Sequence, residues 1–352
     1  MKSRQSRLIV AKESPLNGEA PVSELRSRIT PVPSFFVRSH FPVPQIDVSK
    51  WRLVVEGEVG APREFSYREL REMPRVTVAA TLECAGNGRS GFKVPAEGEL
   101  RWGSGAVGTA RWRGIALRTV LEKCRVDKTA TELVIEGSDS GNVGGVVDPI
   151  RFSRGLPLQK ALDKDTIIAL QMNGRSLSPE HGYPARLVVP GWYGMASVKW
   201  LSRIKVVSGE PYSAFFNGVK YVYVDEQKGR RARTPVDEVR VKSIITNPLD
   251  GDVVRLGRMV MISGRAWSGS GKISSVEVDH GKGWEKTMVD RATAGRFAWV
   301  AWRKRWVPDR RGEAEIAARA TDESGNMQPL EPLENRFQYG YNAAQRIRVK
   351  VV

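Results

Sequence analysis

The sequence predicts an α+β domain followed by an all-β sandwich of immunoglobulin-like shape. Two observations carry this reading. Between Trp51 and Leu201, runs rich in β-branched residues are interrupted by short helical patterns. After about residue 225 the texture changes to short alternating segments separated by tight turns. In the first part WRLVVEGEV, RVTVAATLEC, ELVIEG, TIIALQMNG, ARLVVPG and SVKWLSRIKVV read as strands, and SYRELREM and IALRTVLEKC carry helical spacing. The stretches 85–110 and 137–157 read as long Gly-rich connections, and loops of that length in a compact domain are commonly functional. DEQKGRRARTP is polar, charged and closed by proline, the composition of a linker. Beyond it RVKSIIT, RMVMISGRAW, ISSVEVDHG, RFAWVAWRKRW, EAEIAARATD and RIRVKVV alternate, with the turns NPLDGD, SGSGK, HGKGW and DESGN between them; strands at this spacing without helices argue for a sandwich. The expected division is an N-terminal extension over 1–29, a first domain over 30–225, a linker over 226–235 and the sandwich over 236–352.

A chain of 352 residues suits two cores, and 41% hydrophobic with 27% charged residues is a globular composition. No apolar run approaches the roughly 18 residues of a membrane-spanning helix. The opening MKSRQSRLIVAK is basic but lacks the apolar stretch of a secretory signal, so the expected location is cytoplasmic, or periplasmic if an export signal has been removed. A formal charge of +17 draws nucleic acids, acidic lipid surfaces, acidic proteins or small anions. The charge is spread along the chain, with one local run over Lys228–Arg233, and no recognition helix, zinc finger or stacking platform accompanies it. Nucleic-acid binding and membrane insertion are therefore not the expected functions.

Two cysteines without a CxxC exclude a zinc ribbon, a haem c attachment and a disulfide framework. Cys124 closes the helical pattern Ile115, Leu117, Val120, Leu121 and reads as buried packing. Cys84 lies in TLECAGNGRS, in a Gly-rich turn beside Arg89, where a lowered thiol pKa is expected. A thiolate there is a nucleophile, with His40 or His181 as its base, or a soft metal ligand. As a ligand it stands alone, so an organic cofactor would have to supply the rest of the coordination sphere. Gly103-Ser104-Gly105-Ala106-Val107-Gly108 matches G-x-G-x-x-G but lacks the preceding strand and following helix of a dinucleotide site, and is rejected. Of three histidines, His40 and His181 each have an arginine nearby in Pro-bounded segments, with Ser197-Val198-Lys199 behind the second. That set suggests a phosphate-bearing ligand held by charge-assisted hydrogen bonds. His280, in a DHGKG turn, reads as surface. Trp299, Trp302 and Trp306 read as exposed apolar strips suited to a two-fold dimer.

FFVRSHFPVP, TLECAGNGRSGF, GAVGTARWRGIALRTVL and MNGRSLSPEHGYPARLVVPGWYGMASVKWL closely resemble, in order, the sulfite oxidase family of molybdopterin enzymes, and the resemblance covers roughly 30–352. It implies a sulfite oxidase-like molybdopterin-binding catalytic domain followed by an immunoglobulin-like dimerisation domain. It also implies a molybdenum–molybdopterin cofactor whose single protein thiolate is Cys84. By motif position Phe36, Arg38, His40, Asp139, His181, Arg186, Ser197 and Lys199 would hold the pterin and its phosphate. Arg38 and Arg89 would face an oxyanion substrate. Tyr221, with Tyr223 as second choice, would complete the pocket. The implied reaction is oxidation of sulfite to sulfate by oxygen-atom transfer. The alternatives kept open are reduction of nitrate or a sulfoxide, and a non-catalytic anion-binding protein. No haem is expected in this chain, so electrons would leave to an external acceptor, of which a cytochrome is the expected class, and the chain would pair as a homodimer. Unlike animal members, LENRFQYGYN shows no clear counterpart of a further active-site arginine.

Overall fold

In a computed structural model of the chain, residues 7–225, 232–290 and 295–352 are described. Two five-stranded sheets build the first part. One runs in the order Arg175–Ser176, Ile167–Met172, Val107–Ala116, Val76–Glu83, with Arg186–Val188 paired to Ile167–Met172 off this path. The other runs Arg63–Ser66, Arg52–Gly57, Leu201–Val207, Glu132–Gly141, Ile150–Pro157 and is antiparallel except for Arg52–Gly57 beside Leu201–Val207. Helices Tyr67–Glu72 and Leu117–Cys124 match the helical patterns. The first begins where Ser66 and Glu69 cap each other's backbone amides; the second buries Leu117, Val120, Leu121 and Cys124 on one face.

The later part is a sandwich. A four-stranded sheet (Lys242–Asn247, Val260–Trp267, Val300–Trp306, Met288–Asp290) faces a five-stranded one (Val253–Val254, Gln345–Val351, Gly312–Asp322, Ile273–Asp279, Glu285–Lys286). The period of two decides which side chains enter: Ile347, Val349 and Val351 point inward while Arg346, Arg348 and Lys350 stay outside or at the rim.

Several expectations need correction here. The tryptophans are not exposed. Trp302 is 1% exposed in the sandwich core, and Trp306 packs in the same cluster. Trp299 is buried against the first domain, donating from its backbone N–H to Thr81 Oγ1 (2.9 Å) and from its indole to the Arg28 carbonyl (2.9 Å). The aromatic–basic alternation of RFAWVAWRKRW is what a half-buried strand needs, and burial in the chain itself accounts for it. The apolar residues the sandwich does expose include Val253, Met259, Met288 and Val307. His280 is not a free surface group either: its side chain is largely buried and stacks on Trp306. The connection 85–110 gives way to a strand at Val107, and 137–157 is mostly the hairpin Glu132–Gly141/Ile150–Pro157. The polar SDSG and a register shift between Glu136 and Ser140 hide the alternation there. Of the expected linker, and of the basic run within it, residues up to 231 lie outside the described residues; Ala232–Pro235 form a strand paired with Val222–Asp225.

The rejected glycine motif leads into a strand, and the amides of Gly103 and Gly105 donate to the Glu19 carboxylate (2.8 and 2.9 Å), leaving no phosphate cradle. The N-terminal segment is thus built into the loop beyond Cys84. Packing also runs across the junction between the two parts, with Val236, Val239, Trp267, Trp299 and Tyr339 in the cluster of the first sheets.

Because Trp302 fills the centre of the sandwich, Trp302→Ala is expected to lower stability by about 3–5 kcal/mol. Urea denaturation followed by fluorescence and circular dichroism checks this.

Candidate active site

Cys84 follows directly on the strand Val76–Glu83, and the turn after it is held tightly. The Cys84 amide donates to the Ala106 carbonyl (2.9 Å), its carbonyl accepts from Asn87 N–H (2.9 Å), and Asn87 Oδ1 accepts from Ala106 N–H (3.1 Å). Gly86 has a steric reason: a Cβ there would lie 2.6 Å from Arg89 Nη1, so only glycine lets the guanidinium fold back under the turn. The expected lowered thiol pKa is corrected here. Cys84 is 7% exposed. Burial raises its pKa, and Arg38 and Arg89, which favour the thiolate, only partly offset this. A directly bound cation would deprotonate such a thiol outright. Both cysteines are free thiols.

Two cavities meet at Cys84. The inner one, of about 690 Å³, is lined by Phe36, Arg38, His40, Cys84, Asp139, His181, Arg186, Ser197, Lys199 and Tyr221, among others. All the residues expected to hold a cofactor therefore come together, although they arrive from distant segments. Phe36, Arg38 and His40 follow the turn Val32–Ser34, and Asp139 lies on Glu132–Gly141. His181 ends the turn Pro179–His181, and Arg186 opens its short strand. Ser197 and Lys199 precede Leu201–Val207.

The inner cavity is short of negative charge. Burial pushes Arg186 down to about 9 and Lys199 down to about 7, with Arg186 further opposing protonation of Lys199, while Asp139 is raised by burial. Arg186 spends Nη1 and Nη2 on the carbonyls of His181 (3.2 Å) and Ser197 (2.9 Å), and Lys199 donates to Ser39 Oγ (2.8 Å) and the Glu180 carbonyl (2.9 Å). Arg186 Nε and Asp139 Oδ1 are buried without a hydrogen-bond partner among the described residues. Buried donors and cations in this state call for an anionic, hydrogen-bonding ligand. A phosphate-bearing pterin fits that demand.

The outer chamber, of about 810 Å³, shares Arg38, His40, Cys84 and Tyr221 with the inner one and adds Arg89, Glu99, Lys220 and Tyr339. A hydrogen-bond chain crosses the shared wall. Arg38 Nη2 is 3.1 Å from His40 Nδ1, and His40 Nε2 is 2.6 Å from the Tyr221 hydroxyl. An arginine can only donate, so Nδ1 accepts and the neutral ring carries its proton on Nε2. The ring is neutral because burial, helped by Arg38, holds its pKa well below the usual histidine range. Tyr221 oxygen therefore accepts from His40, leaving its own O–H to donate elsewhere. Burial pushes the phenol up to about 12, so that proton stays in place. Tyr221 has φ of 55°, a costly conformation for an aromatic residue. Arg154 underpins it: its guanidinium lies 5.5 Å over the Tyr221 ring and donates to the carbonyls of Phe216 and Val236. Tyr223, the second choice, lies instead under the Arg240 guanidinium and lines neither cavity.

Arg89, expected to face an oxyanion, has an acid of the chain itself beside it. Its Nη2 lies 2.9 Å from Glu99 Oε2, and Lys220 Nζ lies 2.7 Å from Glu99 Oε1. Glu83, the nearer acid in sequence, faces away from Arg89 to bind Lys242 Nζ (2.8 Å), the Trp267 indole (2.8 Å) and Asn87 Nδ2 (2.9 Å). Sequence reasoning missed Glu99, Lys220 and Tyr339. Lys220 adjoins Tyr221 and could have been included; Glu99 and Tyr339 reach the chamber through tertiary packing and carry no local signal. It also missed Asn17, whose Oδ1 accepts from Arg38 Nη1 (3.2 Å). Arg336, in the segment without a clear active-site arginine, lines neither cavity, and Lys220 is the further cation. Among the described residues no group of three or more His, Cys, Asp or Glu forms a metal cage, and no helix is long and apolar enough to cross a membrane.

Known proteins match both parts of the chain. A family model described as "Oxidoreductase molybdopterin binding domain" matches 40–215, and one described as "Mo-co oxidoreductase dimerisation domain" matches 233–352. The chain is 36% identical to the mitochondrial sulfite oxidase of Rattus norvegicus over 99% of its own length and 66% of that relative's. With the sulfite oxidase of Gallus gallus the identity is 37%, over 93% of this chain and 74% of the relative. The NADH nitrate reductase of Solanum lycopersicum is 34% identical over 96% of this chain and 40% of its own. The chain thus spans 64–66% of the length of the mitochondrial relatives it matches. Among solved structures, the sulfane dehydrogenase SoxCD from Paracoccus pantotrophus superposes with a TM-score of 0.80 at 28% identity, over 99% of this chain and 86% of that one. On the domain models and on full-length identity to these relatives, the chain belongs to the sulfite oxidase family of molybdopterin oxidoreductases.

Proposed function

We propose that the chain oxidises sulfite to sulfate with a molybdenum–molybdopterin cofactor, passes the electrons to an external acceptor and works as a homodimer paired through its second domain. The observation that carries this reading is the position of Cys84, a lone buried thiol at the seam between an anion-demanding inner cavity and a cation-lined outer chamber. Arg186, Lys199, His181 and Ser197 would hold the phosphate end of the cofactor. Asp139, Phe36, Arg38 and His40 would line the pterin, and Cys84 would be the metal's protein ligand. Bound there, the group supplies oxygen-atom transfer and takes up two electrons.

The chain's own residues supply binding and orientation. Arg38, Arg89 and Lys220 attract an oxyanion and fix it without reorganising as its charge changes. Tyr221, oriented by His40, presents a hydroxyl proton as hydrogen-bond donor to a substrate oxygen, and its high pKa keeps that proton on the phenol. In balance, sulfite and water become sulfate, two protons and two electrons. The formal charge of +17 favours an acidic electron acceptor of the cytochrome class.

Metal analysis combined with a sulfite-dependent assay tests the reading. The purified protein is expected to carry about one molybdenum per chain, to reduce ferricyanide and cytochrome c when given sulfite, and to sediment as a dimer at micromolar concentration. Molybdenum with reduction of nitrate or a sulfoxide, but no sulfite oxidation, would replace the substrate assignment. A protein that takes up no molybdenum when expressed with the cofactor would be a plain anion binder.

A further inference from the structure

We propose that Glu99 is a specificity-determining residue, an internal counter-ion seated where the substrate's oxyanion binds, which weakens the hold on dianions and so speeds release of the oxidised product. The inference rests on the sulfite reading for its substrate but on the geometry for its site.

Glu99 is the one acid lining the outer chamber among the described residues, and its side chain is 11% exposed. Its two carboxylate oxygens lie on two different cations, Oε2 on Arg89 and Oε1 on Lys220, the arrangement in which a tetrahedral or pyramidal oxyanion would bridge the same pair. Arg89 is 5% exposed and otherwise committed: Nε donates to the Phe337 carbonyl (3.1 Å) and Nη1 to the Leu100 carbonyl (3.3 Å), and the guanidinium stacks on Tyr339. Nη2 lies close to Glu99, but no N–H on it is aligned with an acceptor, so the contact is one of charge and leaves a directed hydrogen bond still to be made. Lys220, at the chamber's edge, has no other acidic partner among the described residues.

Three fixed cations, Arg38, Arg89 and Lys220, line the same chamber and would together hold a dianion strongly. Tight binding of substrate and product alike slows turnover, because binding common to both states adds nothing to the chemical step. A carboxylate between two of the cations reduces their net charge and occupies the Lys220 ammonium as a hydrogen-bond donor. Its effect is not equal on both anions. Near neutral pH part of the sulfite carries a proton and a single charge, whereas sulfate is a dianion throughout. Repulsion by Glu99 therefore falls more heavily on the product.

Calorimetric titration of the holoenzyme with sulfate, which does not react, tests this without reliance on turnover. Glu99→Gln is expected to bind sulfate about tenfold or more tightly than the unsubstituted protein. Sulfate inhibition of the sulfite assay should tighten in parallel, and KM for sulfite should fall by a smaller factor. Glu99→Ala should move in the same direction and serves if the amide variant does not accumulate. Arg89→Gln should move the other way. If removal of the carboxylate leaves sulfate affinity unchanged or weakens it, Glu99 is only a brace that aims Arg89, and the proposal fails. If the unsubstituted enzyme binds sulfate but oxidises no sulfite, the substrate reading fails instead, and the sulfate comparison still decides the role of Glu99.

Discussion

Replacement of Cys84 by serine is expected to reduce sulfite oxidation by at least about a hundredfold while the fold persists. The physical reason is the mismatch between a soft metal centre and a hard, weakly acidic hydroxyl, which binds as an anion far less readily than a thiol. The exchange is nearly isosteric, and besides a Gly86 backbone N–H that reaches the sulfur, the turn around Cys84 is held by backbone and Asn87 hydrogen bonds independent of the side chain. Circular dichroism and thermal unfolding should therefore show a small change. Ferricyanide reduction by sulfite, normalised to molybdenum content, should be nearly lost. Substantial turnover by the serine variant would remove Cys84 from the centre of the reaction.

The second large effect is expected at Lys242, which belongs to the sandwich rather than to the cavity. Lys242 and Glu83 are both buried, and their side chains meet at 2.8 Å directly before Cys84 in the chain. Lys242→Met would leave a carboxylate out of water with only Asn87 and the Trp267 indole as partners. Breaking one side of a buried pair costs about 3–5 kcal/mol, whereas replacing both sides is much milder. The single variant should unfold at markedly lower urea concentration and lose molybdenum on dialysis. The double variant Glu83→Gln/Lys242→Met should recover much of both. Absence of that recovery would mean that the ion pair is not what couples the sandwich to the Cys84 turn.

The sandwich could be read from sequence because each of its strands must bury every second residue, and RIRVKVV or RFAWVAWRKRW state that period plainly. The inward set of the same pattern also explains the error over Trp302 and Trp306: alternation shows that one face is buried, but not whether the cover is the chain's own second sheet or another molecule. The cofactor-side residues were legible because they sit in compact motifs with unusual residue types, a lone cysteine among glycines and histidines beside arginines. The substrate side was less so. The charge balance of Arg89 depends on Glu99, ten residues further along an irregular loop, and on Lys220, which arrives from a segment more than a hundred residues away. The thiol's pKa was misjudged for a related reason: neighbouring charge is visible in sequence, whereas the burial that outweighs it at Cys84 is created only when the two sheets close.

The ligand role of Cys84 is tested most directly by X-ray absorption at the molybdenum edge, comparing unsubstituted holoenzyme with Cys84→Ser at matched molybdenum content. Loss of one sulfur neighbour from the metal in the serine variant is the expected result. An unchanged number of sulfur neighbours would contradict it, because the protein would then contribute no thiolate to the metal.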